Sequence, residues 1–351
     1  MRKARQVTLS DIAQVVNVSK VTVSKALRGH PDISSETVAK IKKVAGELGY
    51  YPNFMARNLS SQRSNTIGVI VPKIAHSFFA SIIESIYDCA FENNYEIILT
   101  VSQENADREL RHIHSLLSMR VDGLMVSISQ QTIDFSIFKT VRERGIPLTF
   151  MDRVVDDPQF NRVMVDDFGG SFSAVEHAIN IGYTKIGHVA GFQHINIGRS
   201  RYRGFEEAMK KHNLPIRPEW TVFGGFGEND GYVGFKKMCV SGEIPEFVLA
   251  VTYPVALGIY RAAAEMGLKI PRDFDIICFG TSVSNRFISP SLTYIEQPTA
   301  EIGKRAFEVT LENIRKGDQF EPKQIILPTT LSLQETCRKK VAGTQMPVAV
   351  G

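Results

Sequence analysis

From Thr66 onward the chain keeps one rhythm, a short apolar run followed by a helical segment, and this rhythm limits the fold more than any other feature. TIGVIVP reads as a strand, followed by a helix over 77–93, strand YEIILTVS and a helix over 106–119. Strand VDGLMVSI, a helix over 134–144 and strand IPLTFMD follow. Strands that are apolar throughout, rather than at alternate positions, are buried on both faces, which requires a parallel sheet covered by helices on each side. A second series opens at MVDD. It continues through helices over 169–181, 199–212, 230–241 and 255–266, with strands KIGHVAG, WTVFGG, FVLAVTY and FDIICFG between and after them. The expected body is therefore two similar α/β lobes. LTYIEQPTAEIGKRAFEVTLENI would return a helix to the first lobe, and the tail after Cys337 looks frayed.

The N-terminal stretch, 8–61, has a different pattern. Thr8 precedes an apolar run with Asp11 three residues on, a near relative of the capping box. Leu9, Ile12, Ala13 and Val16 fall on one helical face, and Asn17 tolerates the left-handed turn that would end the helix. Ser19 can cap a second helix over 20–27 that buries Val23, Ala26 and Leu27. A third starts at Ser34 or Ser35, faces Val38, Ile41, Val44, Ala45 and Leu48 inward, and ends at Gly49. Two short helices joined by a three- or four-residue turn make a helix-turn-helix, whose second helix enters the DNA major groove. Its solvent side carries Lys20, Val21, Thr22, Ser24, Lys25 and Arg28, an inventory suited to base edges and phosphates.

Charge separates this reading from a generic helical triplet. Residues 1–65 hold eleven lysines and arginines against four acids, a net of +7, while the remainder carries −3. A basic end on a slightly acidic body is the footprint of nucleic-acid binding.

The runs TLSDIAQVVNVSKVTVSKAL, ISSETVAKI and LGYYPNFMARNL resemble the head and hinge of LacI/GalR-family bacterial transcription regulators, and the resemblance extends through most of the chain. It implies that Lys20, Val21 and Lys25 read bases while Ser10, Thr22, Ser24 and Ser34 hold phosphates. The chain has Asn17 where the family usually has Gly. It has Lys25 where Arg is frequent, and a lysine cannot make the bidentate fork to guanine. Tyr50-Tyr51-Pro52-Asn53 breaks the third helix, Asn53 can cap a short helix over 54–59, and SSQRSN is polar. By the resemblance this hinge, with Asn53, Ala56 and Leu59 at the DNA, orders on the operator, pairs with its twin and inserts Leu59 into the minor groove. An inert tether is the plainer alternative. The resemblance also implies a periplasmic-binding-protein-like core, with the chain crossing between lobes near 152–166 and 284–293.

These readings divide the 351 residues into a head (1–51), a hinge and linker (52–65), a core (66–340) and a tail (341–351). Lobe 1 would hold about 66–153 and 294–325, and lobe 2 about 154–290 and 326–340. No apolar stretch of signal-peptide or membrane-spanning length stands out, so a cytoplasmic, nucleoid-associated protein is expected. Cys89, Cys239, Cys278 and Cys337 are far apart, without CxxC or Cys/His spacing, and are expected as buried reduced thiols. No metal or cofactor is expected. In GGFGENDG, Asp230 stands where a dinucleotide fingerprint needs its third glycine, and no P-loop, HExxH or GxSxG occurs. His177 and His188 have no second ligand at metal spacing.

Two lobes with a crevice offer a ligand site at the carboxyl ends of the strands, closing by hinge motion. The candidates are Ser77 and Phe78 after the first strand, Asp152 at the crossing, Arg199 at a helix start, and Tyr253 and Thr281 after later strands. Arg199 lies five residues before Gly204-Phe205, matches the family's effector-binding arginine, and is the expected anchor. The alternatives are a solvated helix-end charge for Arg199 and a core residue for Phe78. Val251-Thr252-Tyr253 replaces the family's AND, and Cys278-Phe279-Gly280-Thr281 replaces GFDD or GYDD. Losing those carboxylates points away from a neutral sugar, toward an acidic or less hydroxyl-rich effector with Tyr253 as a lid or hydrogen-bond partner. The whole implies a homodimeric repressor on an inverted repeat, controlled by a sugar, sugar acid or related metabolite between the lobes. A solute-binding protein or an α/β enzyme carrying a non-functional head is the alternative.

Overall fold

The structure is a computed structural model that describes residues 7–27, 29–50, 63–75 and 77–338. The chain divides into two compact units, Met1–Ser64 and Asn65–Gly351. The first contains helices α1 (Leu9–Val16), α2 (Lys20–Leu27) and α3 (Ser35–Glu47). At Thr8 the capping box closes both ways, with the hydroxyl accepting from the Asp11 amide and the Asp11 carboxylate accepting from the Thr8 amide. Asn17 ends α1 at φ 58°, Ser19 caps α2, and Ser34 caps α3. Ile12, Ala13, Val16, Val23, Ala26, Ile41 and Ala45 make the small core. Leu48, expected inside, is exposed, because the cap residue sits past the last buried turn. Arg28 and residues 51–62, which hold the hinge positions Asn53, Ala56 and Leu59, lie outside the described residues, as does the tail beyond 338.

The second unit holds two six-stranded sheets. In the first, strands β1 (Thr66–Val71), β2 (Glu96–Val101), β3 (Gly123–Val126), β4 (Leu148–Met151), β5 (Asn161–Val165) and β11 (Gln324–Leu327) lie in the order β11-β5-β4-β3-β1-β2, all parallel. The second is ordered β12-β10-β9-β8-β6-β7. It is built from β6 (Ile186–Ala190), β7 (Thr221–Phe223), β8 (Phe247–Ala250), β9 (Asp275–Phe279), β10 (Thr293–Glu296) and β12 (Thr330–Ser332). Its β12 edge is antiparallel to β10, so this lobe is not purely parallel. The helices are α4 (Ser77–Glu92), α5 (Ala106–Ser118), α6 (Ser136–Glu143), α7 (Asp167–Asn180), α8 (Asn196–Lys211), α9 (Glu228–Met238), α10 (Tyr253–Glu265) and α11 (Thr299–Lys316).

Three crossings join the lobes; the first falls at the end of the expected 152–166 span, and the other two fall later than the sequence suggests. MVDD does not open the second sheet, since β5 pairs with β4 and β11 in the first, and the chain leaves only after Val165. The return follows Glu296, because β10 pairs with β9 and β12 in the second sheet. The last crossing lies between Leu327 and Thr330. Helix α11 packs against α4, beside the first sheet. One apolar cluster runs from Ile70 and Phe150 through Val154, Ile195 and Ile197 to Phe226 and Tyr253, so the lobes share a core. Helices α9 and α10 approach so closely that a Cβ at Gly231 or Gly258 would meet a backbone oxygen of the other helix at 2.0 or 1.9 Å.

Candidate DNA-reading face and ligand cavity

In the head, burial of Val23 and Ala26 turns the other side of α2 outward. Lys20 and Val21 are exposed, Val21 by 64%, while Thr22, Ser24 and Lys25 are half-buried. Lys25 reaches Asp32 in the following loop at 3.0 Å, and His30 lies 3.3 Å from the same carboxylate. Asp32 is held below the usual carboxylate range, first by the Lys25 bond and next by His30. Thr22 is 2.8 Å from the Ser19 hydroxyl, and the Ser34 hydroxyl accepts from the Thr37 amide. These two hydroxyls thus work as helix-end groups, beside backbone amides that themselves attract phosphate. Ser10 is exposed in the first turn of α1.

In the core, a cavity of about 270 Å³ opens at the carboxyl ends of the strands, walled by residues of both lobes. It brings together Ser77 and Phe78 at the start of α4, Asp152 after β4, Tyr253 at the start of α10 and Thr281 after β9. The Ser77 hydroxyl donates to the Thr281 carbonyl at 3.1 Å, from one lobe to the other. Phe78 meets Phe79 edge-on at 5.1 Å. The Tyr253 hydroxyl pairs with Ser284 at 3.1 Å, and burial raises its pKa. Asn196, on α8 of the second lobe, clasps the β4–β5 connection of the first, donating to the Asp152 carbonyl and accepting from the Val154 amide, each at 2.9 Å.

Arg199 is not in the cavity wall. Its guanidinium is 39% exposed, 3.4 Å from Asp156, which also takes Arg162 at 2.7 Å. Arg201 is the cationic wall residue of α8. It is 2% exposed, donates to Asp167 at 2.8 Å and to the Val251 carbonyl at 2.5 Å, and lies 3.8 Å over the Phe279 ring. Burial pushes the Asp167 carboxyl up, against the pull of Arg201. Sequence reasoning also missed Arg153, which grips Glu104 at 2.8 and 2.9 Å and covers Phe226 at 4.6 Å. It missed Phe226, Leu257 and Gln297 as well. The usable signal was adjacency, since Arg153 follows Asp152 directly and Arg201 falls three residues before Gly204.

Asp152 is strained and buried. Its φ is 63°, its exposure 5%, and burial lifts its pKa to about 6 despite Arg153 and Arg201. The ring nitrogen Nδ1 of His188 lies 2.8 Å from the Leu249 carbonyl, and burial lowers this histidine to about 4. His177 bonds the Cys337 carbonyl at 2.7 Å. Cys278 and Cys337 are buried and Cys89 and Cys239 half-buried, all as free thiols. In GGFGENDG the Asp230 carboxylate accepts from the Gly227 amide at 2.9 Å and so caps α9. Among the described residues no cluster of metal-ligating side chains occurs, and no helix is long and apolar enough to cross a membrane.

Residues 8–53 match the model of bacterial regulatory proteins of the lacI family, and 175–337 match a periplasmic binding protein-like domain. The chain is 32% identical over 318 residues to the HTH-type transcriptional repressor PurR of Haemophilus influenzae strain PittEE, covering 89% of this chain and 92% of that protein. The chain belongs to the lacI family. A second LacI-family relative, a repressor of the same name from Actinobacillus pleuropneumoniae serotype 3, is 29% identical over 94% of this chain and 98% of its own length. The lac repressor dimer, solved bound to operator and the anti-inducer ONPF, has the same fold, with a TM-score of 0.83 at 24% identity, covering 95% of this chain and 99% of that one. As a LacI-family protein the chain is a DNA-binding transcriptional repressor with a ligand-binding core, and not an enzyme.

Proposed function

We propose that the head (1–51) reads an inverted-repeat operator through α2, that 52–65 forms the hinge, and that an effector in the inter-lobe cavity of the core sets DNA affinity. Lys20, Val21 and Lys25 are the base-reading residues, with Ser10, Thr22, Ser24, Arg28 and Ser34 at phosphates. Asn53, Ala56 and Leu59 carry the hinge contact. Ser77, Phe78, Asp152, Tyr253 and Thr281 contact the effector, with Arg201 taking the place first given to Arg199. The observation that carries this reading is one cavity walled by both lobes, spanned by the Ser77–Thr281 bond. A ligand there bridges the lobes and biases their relative angle, and the resulting coupling to DNA is reciprocal. The repressor works in the cytoplasm, at the nucleoid.

Selection of binding sites from random duplex DNA by the full-length protein tests the reading. Recovery of one inverted repeat, with Val21→Ala changing the preferred base at one symmetric position, is the expected result. Recovery of no common sequence would remove the specific-operator reading.

A further inference from the structure

The cavity contains two guanidinium groups and one unshared carboxylate, and their bonding differs. Arg201 has every guanidinium nitrogen engaged, Nε and one terminal nitrogen with Asp167 and the other with the Val251 carbonyl. Arg153 carries Glu104 on one terminal nitrogen at 2.8 and 2.9 Å, and its Nε is buried without an acceptor. Each cation therefore arrives already neutralised by a buried or nearly buried partner. Asp152 does not. Among the described residues its carboxylate has no hydrogen-bond donor, although it is 5% exposed and lines the cavity. The amide nitrogen of Gln297 is likewise buried without an acceptor. Glu228, also in the wall, is paired with Arg261. The charged residues of the wall, Asp152, Glu228, Arg153 and Arg201, sum to zero, and adding the partners Glu104, Asp167 and Arg261 leaves the Asp152 charge unmatched. Around it stand the rings of Phe78, Phe226, Tyr253 and Phe279.

An unpaired buried carboxylate is costly unless a donor meets it. A second anion placed beside it would add like-charge repulsion in a site of low dielectric, with no unshared cation to offset it. We propose that the effector of this repressor is an uncharged or singly cationic hydrogen-bond donor with a flat apolar body, received by the Asp152 carboxylate, and that anionic analogues are excluded. Its O–H or N–H group supplies the donor that Asp152 lacks, an acceptor on it takes the Gln297 amide, and its body lies among the rings. This rests on the reading of the cavity as the effector site, and of the two effector classes suggested by the sequence it keeps the less hydroxyl-rich and drops the acidic.

The test is calorimetric titration of the full-length protein with three probes that share a phenyl ring, namely 2-phenylethanol, phenethylamine and 3-phenylpropionate. The alcohol and the amine bind, and the propionate binds at least about tenfold more weakly. Asp152→Asn, which keeps the shape and removes the charge, narrows the amine-to-propionate ratio by about tenfold or more. Leu257→Trp, which fills the cavity, abolishes all binding. Propionate binding as tightly as the amine, or no binding by either donor probe, overturns the proposal and leaves the cavity as effector site intact. Binding that survives Leu257→Trp places the probes elsewhere and overturns the cavity reading as well. A ratio unchanged in Asp152→Asn, with normal thermal stability, removes Asp152 as the selector.

Discussion

Glu109, on α5, has a side chain inside the first lobe where it accepts from the Ser129 amide at 2.6 Å and the Thr132 hydroxyl at 2.7 Å. Burial outweighs both bonds and lifts its pKa from 4.5 to about 7. Over that interval the native state keeps a proton that the unfolded chain has released, so stability falls as pH rises and levels off above pH 7. The loss is about 3 kcal/mol, and Asp152, lifted to about 6, adds to it in the same sense. Urea unfolding followed by the single tryptophan, the buried Trp220, will show a midpoint that declines between pH 5 and 7. In Glu109→Gln the decline is shallower; a midpoint rising with pH would refute the raised carboxyl. The two arginines of α8 show where residue-level reading failed. Arg199 and Arg201 are two positions apart, about 200° around the helix, so only one can face the cavity. The sequence pattern marks the helix, but its phase depends on packing against β6 and α7.

At the scale of elements, the caps of the head were legible because each uses a local side chain on a nearby amide. Thr8→Ala removes one such bond and costs about 1 kcal/mol. Hydrogen exchange of the slowest α1 amides will speed up by about fivefold, while α10, in the other unit, is unchanged; equal protection in variant and parent would show that the cap contributes nothing. The helices of the second lobe start two or three residues earlier than the apolar pattern suggests. Asp166 caps α7 through the Gly169 amide, and Thr252 caps α10 with Pro254 in its first turn. Proline fits there because its missing N–H would have no partner anyway. The lobe assignment of β5 and β10 was not legible for a different reason. Each is followed by a helix, as local pattern requires of any strand in this fold, but which sheet it joins depends on partners far along the chain. β5 pairs with β11, and β10 with β12.

For the whole molecule, the surplus of positive charge on residues 1–65 sets how binding responds to salt. A logarithmic plot of operator affinity against salt concentration will be steep and linear, and Lys20→Ala, if Lys20 meets a phosphate as well as a base, will reduce its slope by about one. An unchanged slope with lower affinity would assign Lys20 to bases alone. The fold class and the order of layers could be read from sequence, and five of the six candidates it offered for the cavity line its wall. The pairing of charges inside the cavity could not, because Glu104 and Asp167 meet Arg153 and Arg201 from 49 and 34 residues away.

The final crossing also fixes an order of events during synthesis. Residues 324–327 complete one sheet and 330–332 the other, so each lobe receives its last strand from the same short stretch near the end of the chain. The head has all its helices before residue 50 and is free to fold as it emerges from the ribosome, in the N-to-C sequence usual for domains. The sensor cannot complete either sheet until residues 324–332 have been made. A chain that stops anywhere between residues 297 and 323 therefore carries every helix of the reading head on a body whose two sheets each still lack one edge strand.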